Sequence, residues 1–435
     1  LVASLAVAGG YPSPFVSSDL GADRALYNQI ARVNGYADFN VDHPALYETN
    51  TWDFVVMQGH GDESSALGDA AAFRTNALAL YQAVKNQASG KGAGAKAVLL
   101  QTWARGAGAS IYPGTFADPA AMQAEVDAHT AAATNAIAAA EGAGNVRLAA
   151  AGAGFATGGF DPSALYAANL STPGRAGPEL VALAIYKALY GGLATDLSYD
   201  SANAAGVSSI SEYDWQRVTH WADGLPAPAE PAAPAPGARR VILLDTCSNG
   251  TGSPVYIGWN YKTFNATGVI DNLVLTNGYP TALSCEVLTR MNGTAASAAT
   301  PTGDAAIFAK ALANNAFGNV NTWGTSTYSN EYCVARFSGL SPLSSYTFTC
   351  YGSRASATGR ETRYIVEGAS SGFADLEAGN NSTEVAVISK IRPRPDGTID
   401  LKITAGPNNT STEKFYHINA LMIEQSGAGS LISVQ

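Results

Sequence analysis

A run of prolines and small residues at positions 225–237 limits what this chain can fold into. Its sequence, LPAPAEPAAPAPG, offers neither helical nor strand periodicity, because each proline lacks a backbone hydrogen-bond donor. Runs of this kind form extended, semi-rigid spacers. The 435 residues, 46% of them apolar, are enough to bury a separate core on each side of the spacer. The sequence therefore predicts two domains, 1–224 and 240–435, joined by a linker at 225–239.

Before the linker, apolar runs alternate with stretches of helical periodicity. Buried strands are predicted where continuous apolar runs are bounded by turn residues, at 52–57, 97–103 and 145–150. Helices are predicted at 1–8, 22–33, 68–87, 119–141, 178–190 and 208–224. Strands that alternate with helices form a parallel sheet covered by helices on both faces. The first half is therefore predicted to be an α/β domain.

After residue 240 the chain consists of short β-type segments separated by glycine and asparagine turns, with one helix predicted at 304–313. Many short strands with almost no helical periodicity are typical of an antiparallel sandwich. The predicted strands lie at 240–246, 273–276, 286–289, 333–337, 346–352, 362–367, 384–391, 397–404 and 417–423. The second half is therefore predicted to be all-β.

The charge of the chain excludes one class of partner. The formal net charge is −10, the pI is near 5.0, and the 25 lysines and arginines are scattered along the sequence. Nucleic-acid binding needs clustered basic residues, so we expect no such partner. The apolar start, LVASLAVAGG, is too short to cross a bilayer, so we expect no membrane insertion. No cofactor is indicated; a structural calcium ion in the sandwich is compatible with the sequence, but no motif points to one.

All four cysteines, Cys247, Cys285, Cys333 and Cys350, follow residue 240. An even number of cysteines in one β-rich region fits two disulfides in an oxidising setting. It equally fits small buried thiols in strands. Both interpretations stay open from the sequence.

Three segments before the linker resemble a known enzyme family when taken in order: WDFVVMQ, TWAR, and the loop and helix at 165–192. The order is similar to that of SGNH hydrolases over about residues 1–195. The resemblance implies a flavodoxin-like α/β fold and a Ser-His-Asp triad. Where the family has Asp-x-x-His-Pro, this chain keeps Pro173 but has Asn169 and Thr172. Threonine does not accept a proton from serine near neutral pH, so the resemblance implies a degenerate hydrolase.

The nucleophile is also missing from its expected place. In SGNH hydrolases the serine ends a strand ahead of the helix that residues 1–10 would represent. The chain starts at Leu1 and not at methionine, so we expect that it was processed or that sequence precedes it. Ser4 is the alternative nucleophile, although no strand precedes it to present its hydroxyl.

The polar loop QGHGDESS holds the candidate substitute base, His60. It follows a predicted strand, where parallel sheets place their ligands. His43 is a second candidate from another loop. The competing interpretation is a structural loop in which Asp62 or Ser64 caps the next helix.

The half after the linker resembles a second family on the segments VILLDTCSNG, GWN, LSPLSSYTFTCYGS, ISKIRPRPDGTIDLKI and YHINALMIE. Together these are similar to the galactose-binding-like jelly-roll sandwich of carbohydrate-binding modules, over about residues 240–425. In such modules aromatic rings stack on sugars at one end of the sandwich. The resemblance implies the candidate loop residues Trp259, Asn260, Tyr261, Trp323, Tyr328, Arg354 and Arg363. The competing interpretation is that these side chains pack between loops.

Three functions are compatible with this organisation. The first is a non-catalytic polysaccharide-binding protein, similar to receptor-binding spikes and fibres of phages and gene transfer agents. It would attach to capsular or surface glycan from the extracellular surface of a particle, among other particle proteins and as an oligomer or a monomer. The second is an active SGNH-type carbohydrate esterase with a binding module. The third is a structural assembly protein.

Overall fold

The structure, a computed structural model, describes residues 1–14, 26, 51–86, 90–157, 165–174, 176–207, 210–226, 228–235, 238–248, 255–311, 314–323, 329–355 and 357–426. The chain divides into two compact units, Leu1–Ala229 and Glu230–Gln435. The first unit contains a parallel sheet with helices, and the second contains antiparallel sheets. The predicted order of an α/β domain and a β-rich domain is therefore confirmed.

The first unit is built on a parallel sheet of β1 (Phe54–Gln58), β2 (Lys96–Gln101) and β3 (Val146–Ala150), in that order. Among the described residues its α-helices are α1 (Val2–Ala8), α2 (Ala70–Lys85), α3 (Pro119–Glu141), α4 (Gly152–Thr157), α5 (Gly177–Tyr190), α6 (Tyr199–Ala204) and α7 (Glu212–Ala222). In the ranges that the structure describes, no helix is both long enough and apolar enough to span a membrane.

Helices cover both faces of this sheet, as the sequence predicts. Ala97 and Leu99 of β2 pack in a cluster with α2 and α3. Val98 and Leu100 pack in a second cluster with α5. Successive side chains of a strand point to opposite faces, so a strand between two helical layers needs apolar residues on both. The run KAVLLQ in β2 meets this requirement.

The starts of two helices are set by aspartate caps. The Oδ1 of Asp69 accepts hydrogen bonds from the backbone N of Ala71 and Ala72 at the start of α2. Asp118 accepts one from the backbone N of Ala121 at the start of α3. The helix predicted at 22–33 lies outside the described residues apart from Leu26, which is buried.

The strands of the second unit are β4 (Arg240–Asp245), β5 (Trp259–Tyr261), β6 (Gly268–Ile270), β7 (Ser284–Thr289), β8 (Gly293–Ala295), β9 (Asn315–Asn319), β10 (Cys333–Ser338), β11 (Ser345–Tyr351), β12 (Glu361–Glu367), β13 (Ser371–Glu377), β14 (Ala386–Ile391), β15 (Ile399–Ala405), β16 (Phe415–Ile418) and β17 (Ala420–Ser426). They form a six-stranded sheet, β13-β12-β15-β10-β7-β6, and a five-stranded sheet, β14-β11-β17-β4-β5. A small third sheet has the order β16-β9-β8.

The two large sheets share one core. Phe337 of β10 and Phe348 of β11 meet edge to face, with ring centroids 5.7 Å apart. Alternate residues of β10 and β12 are buried, because successive side chains of a strand point to opposite faces. This two-layered arrangement of largely antiparallel strands agrees with the strand pattern of the sequence.

The strand predicted at 273–276 does not form. The side chain of Asn260 takes the place of its strand partner: its Nδ2 donates to the backbone O of Leu243 and of Val274, both at 2.9 Å. Its Oδ1 accepts from the backbone N of Val274 at 2.8 Å. An isolated bridge between Val274 and Pro280 remains. The helix predicted at 304–313 is also shorter, a 3₁₀ helix at Gly303–Phe308.

All four cysteines are buried free thiols, so the disulfide interpretation is wrong. They lie in or next to the strands that enclose the core. Burial raises the pKa of Cys285 to about 12 and raises the pKa of Cys247 well above its usual value.

Part of the predicted linker packs on the second unit. The Nδ2 of Asn277 donates to the backbone O of Ala232 at 2.9 Å. Ala233 and Pro234 line a cavity of about 440 Å³ together with Tyr279 and Tyr346. The described residues of the linker adopt neither helix nor strand, as the sequence predicts.

We predict that Asn260→Ala lowers the free energy of unfolding of the second unit by about 2–4 kcal/mol, because buried backbone groups of Leu243 and Val274 lose their partner. Urea titration of the full chain, with each unit followed by hydrogen exchange, measures this. Asn277→Ala is the matched control, since its side chain is exposed, and should cost less than about 1 kcal/mol. Equal effects of the two changes would contradict the assigned role of Asn260.

Candidate functional site

Polar side chains of the first unit gather where β1 and β2 end, at the edge of the sheet where parallel folds place ligands. His60 is exposed, and its backbone N donates to Oε2 of Glu63 at 2.9 Å. Glu63 is buried and also accepts from the backbone N of Leu26. Burial raises the pKa of Glu63. The loop therefore folds around this glutamate and not around His60.

The other side chains of this loop are engaged locally. Asp62 forms a two-point ion pair with Arg105, the arginine that follows β2. The hydroxyl of Ser64 lies 3.4 Å from that of Thr102. Neither Asp62 nor Ser64 caps α2, because Asp69 does so, and the capping interpretation of these two residues is wrong.

Asn169 and Thr172 form a closed turn on the surface. The Oδ1 of Asn169 accepts from the backbone N of Ser171 at 3.1 Å and from the backbone N and the hydroxyl of Thr172, both at 3.0 Å. Leu170 between them has a positive φ of 56°. The polar atoms of Asn169 and Thr172 are thus used to shape the loop.

Aromatic contacts hold that loop against the sheet edge. Trp103 stacks on Phe155 with centroids 4.7 Å apart, and its Nε1 donates to the backbone O of Ser171 at 2.8 Å. Tyr166 meets Phe155 edge to face and donates from its hydroxyl to the backbone O of Ala104. Trp103 is therefore a packing residue of the rim.

Ser4 lies inside α1. Among the residues that the structure describes, no hydrogen bond joins Ser4 to a histidine. His43 lies outside the described residues. Nor do the described His, Cys, Asp and Glu side chains form a group of three or more that could hold a metal ion.

Three candidate residues of the second unit are buried in a strand and not placed on a loop. Trp259, Asn260 and Tyr261 form β5 and are 6%, 5% and 9% exposed. Trp259 and Tyr261 pack with Phe308 and Tyr351 in a small apolar cluster. Their rings have no face free for a sugar in this structure, so the loop interpretation of these residues is corrected.

The remaining candidates are separated. Arg363 lies on β12, paired with Asp375 at 2.7 and 2.8 Å. The Nη1 of Arg354 donates to the hydroxyl of Ser297. Tyr328 lies outside the described residues. Among the described aromatic candidates, Trp323, at 45% exposed, is the one whose ring lies at the surface.

Trp323 belongs to an aromatic cluster with Phe317 of β9 and Phe415 of β16. Its ring meets Phe317 at 5.9 Å and Phe415 at 5.7 Å, both edge to face, and Phe317 meets Phe415 at 5.9 Å. His417 lies 6.4 Å from Phe317 and 6.5 Å from Phe415. The pairing of β9 with β16 sets His417 opposite Phe317. Phe317, Phe415 and His417 therefore share one face of the small sheet.

His417 and Asn315 form an incompletely satisfied polar pair beneath this cluster. The Nδ1 of His417 lies 3.1 Å from the Oδ1 of Asn315, and both residues are buried. Within the described part of the chain, the Nε2 of His417 and the Nδ2 of Asn315 have no hydrogen-bond partner. Burial, and then the charges of Arg360 and Arg354, lower the pKa of His417 to about 3, so its ring is neutral at pH 7.

Arg360 completes the site. Its guanidinium lies over Phe415, with Cζ 4.6 Å from the ring centroid. Its Nε and Nη1 are buried, and no described residue accepts a hydrogen bond from either. Burial lowers the pKa of Arg360. Asn315, His417 and Arg360 were not among the residues predicted from the sequence. Successive side chains of a strand point to opposite faces. In the segments NAFGN and FYHI, this alternation puts Asn315 on the same face as Phe317, and Phe415 on the same face as His417.

No family model matches the sequence, and no curated protein matches it. Among solved structures, the chain is similar to an SGNH hydrolase-like protein from Slackia heliotrinireducens, with 25% identity, a TM-score of 0.30, and 38% of this chain and 79% of that chain covered. It is similar to a DUF4886 family protein from Bacteroides uniformis, with 14% identity, a TM-score of 0.35, and 48% and 86% covered. It is also similar to a family 61 carbohydrate-binding module in complex with β-1,4-galactotriose, with 11% identity, a TM-score of 0.14, and 26% and 66% covered.

We predict that His417 makes the second unit less stable as the pH falls from about 6.5. The unfolded histidine binds a proton below about pH 6.5 and the folded one does not, so protonation favours the unfolded chain. The free energy of unfolding of the second unit should fall by up to about 1.4 kcal/mol per pH unit between pH 6 and 5, where its carboxylates with a lowered pKa, Asp396 and Asp400, stay ionised. Urea titration at several pH values measures this. His417 is the one histidine after residue 230, and a His417→Gln variant with the same slope would contradict the prediction.

Proposed function

We propose that the second unit binds polysaccharide at the aromatic cluster, and that the first unit is a non-catalytic scaffold of SGNH type. The observation that carries this proposal is the exposed Trp323 ring beside buried, unsatisfied polar groups of His417 and Asn315. Sugars present apolar C–H faces that pack on aromatic rings, and hydroxyls that pair with polar groups close by.

The polar pair suits a hydroxyl in particular. If the Nδ1 of His417 donates to Asn315, an Nε2 acceptor and an Nδ2 donor are left over. If the amide is turned around, an Nε2 donor and an amide oxygen acceptor are left over. Either assignment leaves one donor and one acceptor, and sugar hydroxyls suit both because each hydroxyl can donate one hydrogen bond and accept others.

The unsatisfied atoms are covered in this structure, so a ligand reaches them after a side chain moves. Trp323 is the exposed member of the cluster and meets Phe317 and Phe415 edge to face, without parallel stacking. Rotation of the indole opens the cluster and presents a ring face. The sugar then shifts a conformational equilibrium in the protein, and its affinity is lowered by the cost of that opening.

The first unit supports a scaffold role through the way its polar groups are used. Asn169 pairs with Thr172, Asp62 with Arg105, and Glu63 with backbone amides. A triad needs a base within hydrogen-bond reach of a nucleophile, and these side chains are engaged elsewhere. The esterase hypothesis is therefore placed second.

The wider role in this proposal is attachment to host capsular or surface glycan by a spike or fibre of a phage or gene-transfer-agent-like particle. In this proposal the second unit has a jelly-roll topology and the protein lies outside the cell, on the surface of the particle. Two folded units joined by a proline-rich segment, and a net charge of −10, support it. Several copies on one particle would raise the strength of attachment without a tight single site. The four cysteines are free thiols and form no disulfides, so they do not support the extracellular location.

We predict that Trp323→Ala weakens binding to polysaccharide by about tenfold or more, because the sugar loses its apolar platform. Affinity electrophoresis of the full chain through gels that contain capsular polysaccharide measures the change. Phe373→Ala, at an exposed ring on β13, is the matched control and should bind as the unchanged protein does. No binding by the unchanged protein to any polysaccharide would favour the structural assembly hypothesis.

We predict that the protein does not hydrolyse a small aryl acetate through Ser4 or His60. Any slow background rate should be the same in the unchanged chain, in Ser4→Ala and in His60→Ala, since neither side chain belongs to a Ser-His pair among the described residues. The release of the chromophore measures the rate. Hydrolysis that either variant abolishes would overturn the scaffold role and favour the esterase.

A further inference from the structure

Arginines in this protein repeatedly pair with carboxylates in one geometry. A planar guanidinium matches a carboxylate through two parallel hydrogen bonds. Among the described residues three pairs of this kind occur, Arg105 with Asp62, Arg336 with Asp400, and Arg363 with Asp375. These pairs show how the chain satisfies the fork of an arginine.

Within the described part of the chain, Arg363 has such a carboxylate partner and Arg360 does not, although both guanidinium groups stack on a phenylalanine ring. The Cζ of Arg363 lies 4.4 Å from the centroid of Phe373, and Asp375 accepts hydrogen bonds from its Nε and Nη2. The Cζ of Arg360 lies 4.6 Å from the centroid of Phe415, in the same stacked arrangement. The buried Nε and Nη1 of Arg360 have no acceptor among the described residues. What differs is the carboxylate.

The two glutamates whose charges act on Arg360 do not supply the missing carboxylate partner. Glu377 and Glu413 act on Arg360 electrostatically, as does the positive charge of Arg354. The Oε1 of Glu377 instead accepts from the backbone N of Arg360 and of Gly379, both at 2.8 Å. No ion pair joins either glutamate to the guanidinium within the described ranges. Two buried guanidinium nitrogens without an acceptor are costly, so a partner from outside the chain would be favoured.

We infer that the aromatic cluster takes a saccharide that carries a carboxylate, such as a uronic acid, and that Arg360 pairs with this carboxylate. This inference rests on the proposed function. Arg360 stacks on Phe415, and Phe415 contacts Trp323, so a sugar on the indole has its substituents within reach of the guanidinium. The carboxylate accepts a hydrogen bond from the Nε of Arg360, as Asp375 does from the Nε of Arg363, while hydroxyls meet His417 and Asn315.

The test compares acidic polysaccharides with their own neutral forms. Alginate, polygalacturonate and hyaluronan are assayed before and after reduction of each carboxyl to a hydroxymethyl group, together with neutral glucans and galactans. We expect the full chain to bind at least one acidic polymer, and to bind its reduced form about 10- to 100-fold more weakly, as expected for the loss of a charge-assisted pair. Arg360→Gln should reduce binding of the acidic polymer to the level of the reduced one.

Arg363→Gln is the control, because that arginine has its own carboxylate and should leave binding unchanged. Arg360→Lys keeps the charge without the fork, and should bind between the unchanged protein and Arg360→Gln. Equal binding of an acidic polymer and its reduced form, or binding of neutral polymers alone, overturns this inference and leaves the proposed function standing. Binding of no polymer at all overturns both.

Discussion

Every buried polar group needs a hydrogen-bond partner, and this requirement shapes both units of the protein. In the first unit the groups at the end of the sheet satisfy one another: Asp62 with Arg105, Asn169 with Thr172. In the second unit the requirement is met through most of the core, but not beneath Trp323 within the described ranges. Among the described residues, buried atoms without a partner also occur in the first unit, at Glu179 and Asn203, but there they do not lie beside an exposed aromatic ring as they do at His417 and Asn315.

Buried asparagine side chains form hydrogen bonds with backbone groups at several places in the sandwich. Asn260 joins β4 to the segment after β6, and Asn381 binds the backbone O of Gly352 and of Glu384. An amide has donors and an acceptor, so one side chain can satisfy several backbone groups where strands end. Asn315 uses its oxygen alone, which makes it an exception among these amides.

The α/β unit was largely predictable because its signals are local. The helix predicted at 119–141 is found there, and the apolar runs of β1, β2 and β3 were placed within a few residues. Strands β5, β6, β8, β9 and β13 were missed, and several of them contain glycine or asparagine, which weaken strand propensity. Without β9, nothing in the sequence brings residues 315 and 417 together, since their contact depends on pairing across about a hundred residues.

For the same reason, the candidate site was only partly predictable. Trp323 was found because an aromatic residue in a polar segment stands out in a sequence. Trp259 met the same criterion and is buried, because β5 pairs in parallel with β4 and joins a sheet. Arg360 could not be told apart from Arg363 by composition or spacing. The distinction lies in Asp375, which is placed beside one of them by the β12–β13 hairpin.

The free thiols give the sandwich a property that its amino-acid pattern did not suggest. Burial keeps Cys247, Cys285, Cys333 and Cys350 protonated, and a thiol without thiolate character reacts slowly with oxidants and disulfides. The fold of the second unit therefore does not depend on a disulfide between these four residues, and their sulfur atoms are shielded by the core that they help to fill.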